Sequence, residues 1–170
     1  PGGILWGASM GYYLSEQIVE GGNDLDTTAL DPRRFGDYAN KNWLKPKILE
    51  SWGTHGEQHY PGEERLAARP QKTAPSYDFL DAKGAVWGVL NGWEHPNWFA
   101  PPGVKRENQA SWRWTEKGVH VGAEALAVRQ TAGLVEMTFM SKYEVSGPGA
   151  AAWLDATLAN RLPKVGRVNL

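Results

Sequence analysis

The sequence predicts an α+β fold. Segments with helical spacing of apolar residues and segments with the two-residue alternation of strands follow one another irregularly, and no internal repeat or low-complexity tract is present. At 170 residues the chain suits one ordinary domain or two partial ones.

The elements follow in order. "SMGYYLSEQIVEGG" spaces Met10, Tyr13, Leu14 and Ile18 along one broad apolar face, with Ser9 as its expected cap and Gly21-Gly22 as its stop. The glycines ahead of it, Gly2, Gly3 and Gly7, are expected to form a turn. Asp31 before Pro32 predicts a short helical turn ended by Gly36. From Asn42 to Gly53, Trp43, Leu44, Ile48, Leu49 and Trp52 stand at helical intervals, and Pro46 must lie in the first turn or kink the helix. "YPGEERLAARPQKTAPS" reads as an exposed connection. "YDFLDAKG" predicts a helical turn broken at Gly84, followed by a strand from Ala85 to Leu90.

The next stretch, "NGWEHPNWFAP", places two tryptophans and a phenylalanine between prolines and has neither a helical nor a strand period. It is expected to be a rigid, turn-rich corner whose aromatics pack on something larger. A polar stretch with Trp112 and Trp114 comes next, and those rings are read as domain packing. "GAEALAVRQTAG" is then a helix closed by Gly133, "KYEVSG" a strand, and "GPGAAAWLDATLANRLP" a helix with Pro148 near its start. The best boundary lies between Pro101 and Gly118.

Composition excludes several functions. A formal net charge of −1 gives no field for nucleic acid or an acidic membrane, and the absence of cysteine removes disulfides, thiolate metal sites and thiol catalysis. No run approaches the ~20 apolar residues that span a bilayer, and the start lacks the features of a secretory signal. A chain opening without Met on interior-like glycines is expected to be a piece of a longer one.

Each candidate for chemistry has a plain reading beside it. "GGILWGASMG" is either a tight turn or a place where backbone amides and a helix amino end meet a phosphate or flavin. His55 and His59 stand four apart, but Gly53, Gly56 and Pro61 oppose a helix there, so they are read as surface residues rather than metal ligands. Glu63, Glu64, Arg65 and Arg69 are read as a solvated loop before a buried network. Asp31, Arg33 and Arg34 are assigned to capping and surface pairing. Ser51 and Ser141 lack a nucleophile elbow. Glu94 and His95 form a tempting acid/base couple, yet a glutamate satisfied by local backbone donors is the preferred account.

Taken in order, "YYLSEQIVEGGNDLDTTALDPRRFG", "YPGEERLAARP", "GWEHPNWFAP", "MSKYEVSG" and "ANRLPKVGRVN" resemble the middle of the dimethylglycine dehydrogenase and sarcosine dehydrogenase family. The resemblance covers nearly the whole chain. It implies a flavoprotein that oxidises an N-methyl group of a methylated glycine, with FAD in one half and tetrahydrofolate capturing the one-carbon unit in an aminomethyltransferase-like other half. It divides the chain into the end of an FAD domain (1–36), a central connecting region (37–102) and the start of a folate-binding domain (103–170).

By the same resemblance Gly3, Ile4, Leu5 and Trp6 contact the flavin, although Ala8-Ser9 stands where relatives commonly have Gly-Gly. No catalytic residue and no metal ligand is assigned, and the electron acceptor is unspecified. The expected compartment is a bacterial cytoplasm or the mitochondrial matrix, and the isolated piece is expected to be inactive. The competing expectation is a freestanding interaction module docking a partner through its tryptophan-rich corner.

Overall fold

The computed structural model describes residues 3–168. Pro1 and Gly2, part of the expected glycine turn and of the first expected domain, lie outside the described residues, as do Asn169 and Leu170. Five helices, α1 (Gly3–Val19), α2 (Lys41–Gly53), α3 (Tyr77–Ala82), α4 (Lys117–Gln130) and α5 (Ala150–Thr157), accompany one antiparallel pair of strands, β1 (Ala85–Leu90) and β2 (Trp93–Phe99). Two short 3-10 turns, Thr28–Leu30 and Pro32–Phe35, precede α2.

Several elements form for the reasons the sequence supplies. The Asp31 carboxylate accepts the Arg33 amide at 2.8 Å and caps the Pro32–Phe35 turn. Asn40 caps α2 by accepting from Asn42 at 2.9 Å and Trp43 at 3.4 Å. Pro46 lies inside α2, beyond its first turn, and the helix continues through it. α3 ends before Gly84, whose φ of +91° favours glycine, and β1 follows as predicted.

Three expectations fail. First, α1 starts at Gly3 rather than near Ser9, so Gly3 and Gly7 are helical and Ser9 is not a cap. Each helical glycine costs about 1 kcal/mol relative to alanine, but Leu5, Ala8, Met10 and Leu14 in the same helix are strong helix formers. Second, the aromatic corner is a strand. Asn91 and Gly92, with φ of +51° and +82°, make the two-residue turn of a hairpin in which Leu90 faces Trp93. The register shifts between Val86 and Trp87, from Val86↔Trp98 to Trp87↔Pro96, so Asn97 is an extra residue that bends β2. The Glu94 amide points away from β1 and donates to Lys72 O at 2.7 Å. Pro96, two residues on, shares that outer side, so its missing N–H costs no ladder bond.

Third, "KYEVSG" is not a strand. The described residues contain one sheet, and residues 141–146 pair with no part of it. Alternation without a neighbouring strand leaves the backbone without a ladder. Trp112 and Trp114, read as domain packing, are 59% and 79% exposed within the described chain, and Trp112 meets the Tyr60 ring at 5.6 Å.

The core sits on the hairpin. Val86, Trp98 and Ala100 form it, with Val104 packed alongside, and Trp98 is 2% exposed. A lone two-stranded pair is marginal in water, and here side chains cap its edges. Arg106 donates to Ala85 O at 2.7 Å and Asn108 to Trp87 O at 2.9 Å. Val89 N donates to Glu64 at 3.2 Å and Phe99 N to Glu124 at 2.8 Å.

Gly84 is tested against Gly103, whose φ of +87° is similar but where an added Cβ would meet nothing within 4 Å, whereas a Cβ at Gly84 would stand 2.4 Å from Ala100 O. Gly103→Ala is expected to cost about 1–2 kcal/mol from backbone strain alone. Gly84→Ala adds a backbone clash and must melt lower. Equal melting temperatures for the two variants in the protein that carries this chain would show that the approach of Gly84 to Ala100 is easily relieved.

Candidate functional site

The residues expected at a flavin occupy the first turn of α1. Ile4, Leu5 and Trp6 are 100%, 83% and 60% exposed. Gly3, Gly7 and Gly11, four apart, share one helical face, and nothing lies within 4 Å of a Cβ built at any of them. That face is bare backbone. Ile4, Leu5 and Trp6 point away from that face in successive steps of about 100°, so of Gly3, Ile4, Leu5 and Trp6 it is Gly3 that offers a flat ring system this surface. No described residue is assigned to tetrahydrofolate.

The chain's own polar centre lies elsewhere, around Arg69 and Glu94. Its carboxylate is 3% exposed and the guanidinium 10%. Arg69 Nε donates to both Glu94 oxygens at 3.0 and 3.2 Å, and Nη2 donates to Oε2 at 2.6 Å. The remaining nitrogen, Nη1, is buried without a hydrogen-bond partner and stands 3.8 Å from Glu64 Oε2. Burial alone lowers the affinity of Arg69 for its proton, but the hydrogen bonds and charge of Glu94, with Glu64 behind it, outweigh this and hold it above its ordinary value.

Glu64 extends the cluster. Its Oε1 accepts Asn97 Nδ2 at 3.0 Å while Oε2 takes the Val89 amide. The Asn97 amide also donates to Asn108 Oδ1 at 3.2 Å. Gly88 makes room for this arrangement, because a Cβ there would lie 2.2 Å from Glu64 Oε1 and 2.4 Å from Asn97 Nδ2. The solvated-loop reading is therefore corrected for Glu64 and Arg69: both are drawn in by groups of the hairpin. Glu94 is structural as expected, yet its partner is a guanidinium 25 residues away rather than local backbone.

Two cavities flank Glu64. One of about 280 Å³ is walled by Tyr38, Trp43, Arg69, Val89 and Glu94, and another of about 500 Å³ by Tyr60, Leu66, Trp87 and Arg106. At the rim of the first, Lys72 Nζ lies 4.6 Å from the Trp93 ring centre, a cation–π contact. Tyr77 stacks on Trp87 at 4.2 Å.

The remaining candidates separate. Glu94 and His95 are neighbours on a strand and point to opposite faces, so they are no acid/base couple. His95 instead meets Phe139 edge-on at 4.9 Å. His55 packs on Trp52, and His59 lies against Arg65 at 3.0 Å. Among the described residues no three metal-ligating side chains converge. Asp31 and Arg33 pair at the surface as read. The aromatic corner is not a docking surface, since Trp98 is buried and Trp93 half-buried. The sequence signal missed was Asn91-Gly92, the dipeptide that types a hairpin.

Glu50 on α2 fastens the loop leading to Arg69. Its Oε1 accepts the amides of Leu66 and Ala67 at 2.7 and 2.9 Å, and Lys47 approaches Oε2 at 3.4 Å. Burial pushes the carboxyl up, but the Ala67 amide, the Lys47 ammonium and the Leu66 amide together hold it below its ordinary 4.5. A depressed folded value means that the stabilisation is complete above the unfolded value and is lost as pH falls through the folded one. Glu50→Gln is expected to lower stability by about 1–2 kcal/mol near neutral pH. Melting curves of the two proteins should converge in acid; a gap that persists there would show that the charge of Glu50 is irrelevant.

Residues 20–74 match the family model described as the FAD dependent oxidoreductase central domain, and residues 76–170 match the GCVT N-terminal domain. The chain is 35% identical over 169 residues to the mitochondrial dimethylglycine dehydrogenase of Rattus norvegicus, covering 99% of this chain and 20% of that protein. It is 30% identical over 152 residues to the 4-methylaminobutanoate oxidase (formaldehyde-forming) of Paenarthrobacter nicotinovorans, covering 87% and 18%. With the mitochondrial sarcosine dehydrogenase of Mus musculus it shares 26% identity over 190 residues, covering 95% and 21%. The chain thus spans about a fifth of the length of these curated relatives. It belongs to the GCVT N-terminal domain family, carrying that domain directly after FAD dependent oxidoreductase central-domain sequence, in the manner of the dimethylglycine dehydrogenase and sarcosine dehydrogenase family.

Proposed function

We propose that the protein carrying this chain oxidatively demethylates dimethylglycine, or sarcosine, and passes the one-carbon unit to tetrahydrofolate. The observation that supports this most directly is the succession of the two family segments, 20–74 and 76–170, within one chain. Bound FAD supplies the two-electron acceptor for the amine, and tetrahydrofolate the acceptor for the carbon. Gly3, Ile4, Leu5 and Trp6, the first turn of α1, contact the flavin, Gly3 through its bare backbone, and the amino end of α1 favours negative charge near it. The name of the Paenarthrobacter relative gives formaldehyde as its product, and we take water as the competing acceptor for the one-carbon unit here.

The division at residues 36 and 102 stays part of this proposal as the extent of the central connecting region, and the two family segments meet at residue 75, inside that region. The compartment follows the same reading: mitochondrial matrix, as in relatives whose names carry "mitochondrial", or bacterial cytoplasm. No helix among the described residues is long and apolar enough to cross a membrane.

The test uses the full-length protein. Dimethylglycine added without oxygen should bleach the flavin absorbance, with a higher specificity constant than sarcosine. Gly3→Val should lower flavin per polypeptide while leaving melting of the remainder little changed, because no atom of the described chain lies within 4 Å of a Cβ at Gly3. Full flavin occupancy in Gly3→Val would reject the contact assigned to Gly3. Unbleached flavin in the wild type would reject the methylated glycine.

A further inference from the structure

We infer that the buried Arg69–Glu94 pair, with Glu64, is a positioning element for one-carbon transfer, holding the oxidoreductase-type segment in one orientation on the GCVT-type segment. The inference rests on the function proposed above. The two family matches meet between Ala74 and Ser76. Glu64, Arg69 and Lys72 stand before that junction, and Val89, Glu94 and Asn97 stand after it. Each bond of the cluster therefore crosses it: Arg69 to Glu94 at 2.6 Å, Val89 N to Glu64 at 3.2 Å, Asn97 to Glu64 at 3.0 Å and Glu94 N to Lys72 O at 2.7 Å.

A single covalent connection through Pro75 leaves two segments free to reorient. Four directed bonds, arranged around the buried Arg69–Glu94 pair, remove that freedom. The pair is fork-on-carboxylate, with Nε and Nη2 both engaged, so it fixes direction as well as distance. A lysine at position 69 retains the charge but offers a rotatable point donor in place of a planar fork. The unpartnered Nη1, 3.8 Å from Glu64, gives the cluster a second anchor of the same sign of interaction.

Orientation matters because the carbon has two fates. Oxidation moves a hydride from the N-methyl group to flavin and leaves an N-methylene iminium. With tetrahydrofolate bound, its two nitrogens would take the carbon as the C–N bond breaks, releasing the secondary amine and one proton; otherwise water adds and the C–N bond breaks, giving the secondary amine, formaldehyde and one proton. Loosening the two segments lengthens the interval before capture and favours water. The amine oxidation itself precedes this choice and does not use the pair.

Two variants of the full-length holoenzyme test this, Arg69→Lys and Glu64→Gln. Three quantities are read with tetrahydrofolate present: dimethylglycine-dependent dye reduction, formaldehyde released per dimethylglycine oxidised, and hydrogen exchange at the Val89 and Glu94 amides. Wild-type dye reduction, a several-fold rise in formaldehyde and faster exchange at both amides are expected. Faster exchange with an unchanged formaldehyde fraction would make the pair purely structural and overturn the inference, as would unchanged exchange. Should Arg69→Lys not fold, Glu64→Gln, which keeps the shape of the side chain, decides by the same readings. A wild-type protein that oxidises no methylated glycine removes the proposed function and this inference together; normal capture in both variants removes the inference alone.

Discussion

The fold turns on a charge taken out of water. Glu94 has 3% of its side chain exposed, and an isolated carboxylate at that depth would be strongly disfavoured. Arg69 is what makes the position tenable, and breaking such a pair costs about 3–5 kcal/mol because one charge is left alone. The consequence spreads to residues with no charge at all. The segment from Tyr60 to Ser76 contains no helix or strand, so its backbone has few bonds of its own, and it is held by what it can reach. Glu50 takes two of its amides, Lys47 takes the Arg65 carbonyl at 3.2 Å, and Lys72 O receives the Glu94 amide. Order in an irregular segment is here a product of side-chain chemistry.

The same chemistry explains how two strands suffice. A hairpin alone exposes two rows of unpaired backbone groups. In this chain β1 is lined by Arg106, Asn108 and Glu64, and β2 by Lys72 O and Glu124. Trp87 is fixed as well, by Tyr77 stacked on its face and by Asp81, which accepts its indole N–H at 2.9 Å and also pairs with Arg106. Those two donors hold the Asp81 carboxyl below its ordinary value. Apolar burial contributes only through a few residues, Val86 and Trp98 chiefly, whereas α1, α2, α4 and α5 bury no residue within the described chain.

What the sequence made legible was local. Asp31 with Pro32, and Gly84 between a helical turn and β1, carry their structural meaning within four residues, and both are found where read. The order of five separated blocks carried the family. Aromatic density misled at residues 91–101, where two prolines drew attention away from Asn91-Gly92 and from the fact that a proline on the outer side of an edge strand loses nothing. Glycines misled at α1, where they were weighed as turn formers although the residues between them favour helix. The pairing of Arg69 with Glu94 had no local signature, since a loop rich in Glu and Arg reads as solvated until the strand that receives it is known.

Asn97 joins these threads. As the extra residue of the bulge it leaves the ladder, and its side chain turns to Glu64 and Asn108 instead. That turn is possible only because Gly88, across the strands, has no Cβ to occupy the space. Bulge, glycine and carboxylate are thus one device: without the extra residue the amide would not reach Glu64, and without Glu64 the second acceptor near Arg69 would be gone. A regular hairpin would have been simpler to form, but it would leave the preceding segment nothing polar to grip. The irregularity in β2 is therefore the feature that couples the hairpin to the loop before it, and through that loop couples one family segment to the other.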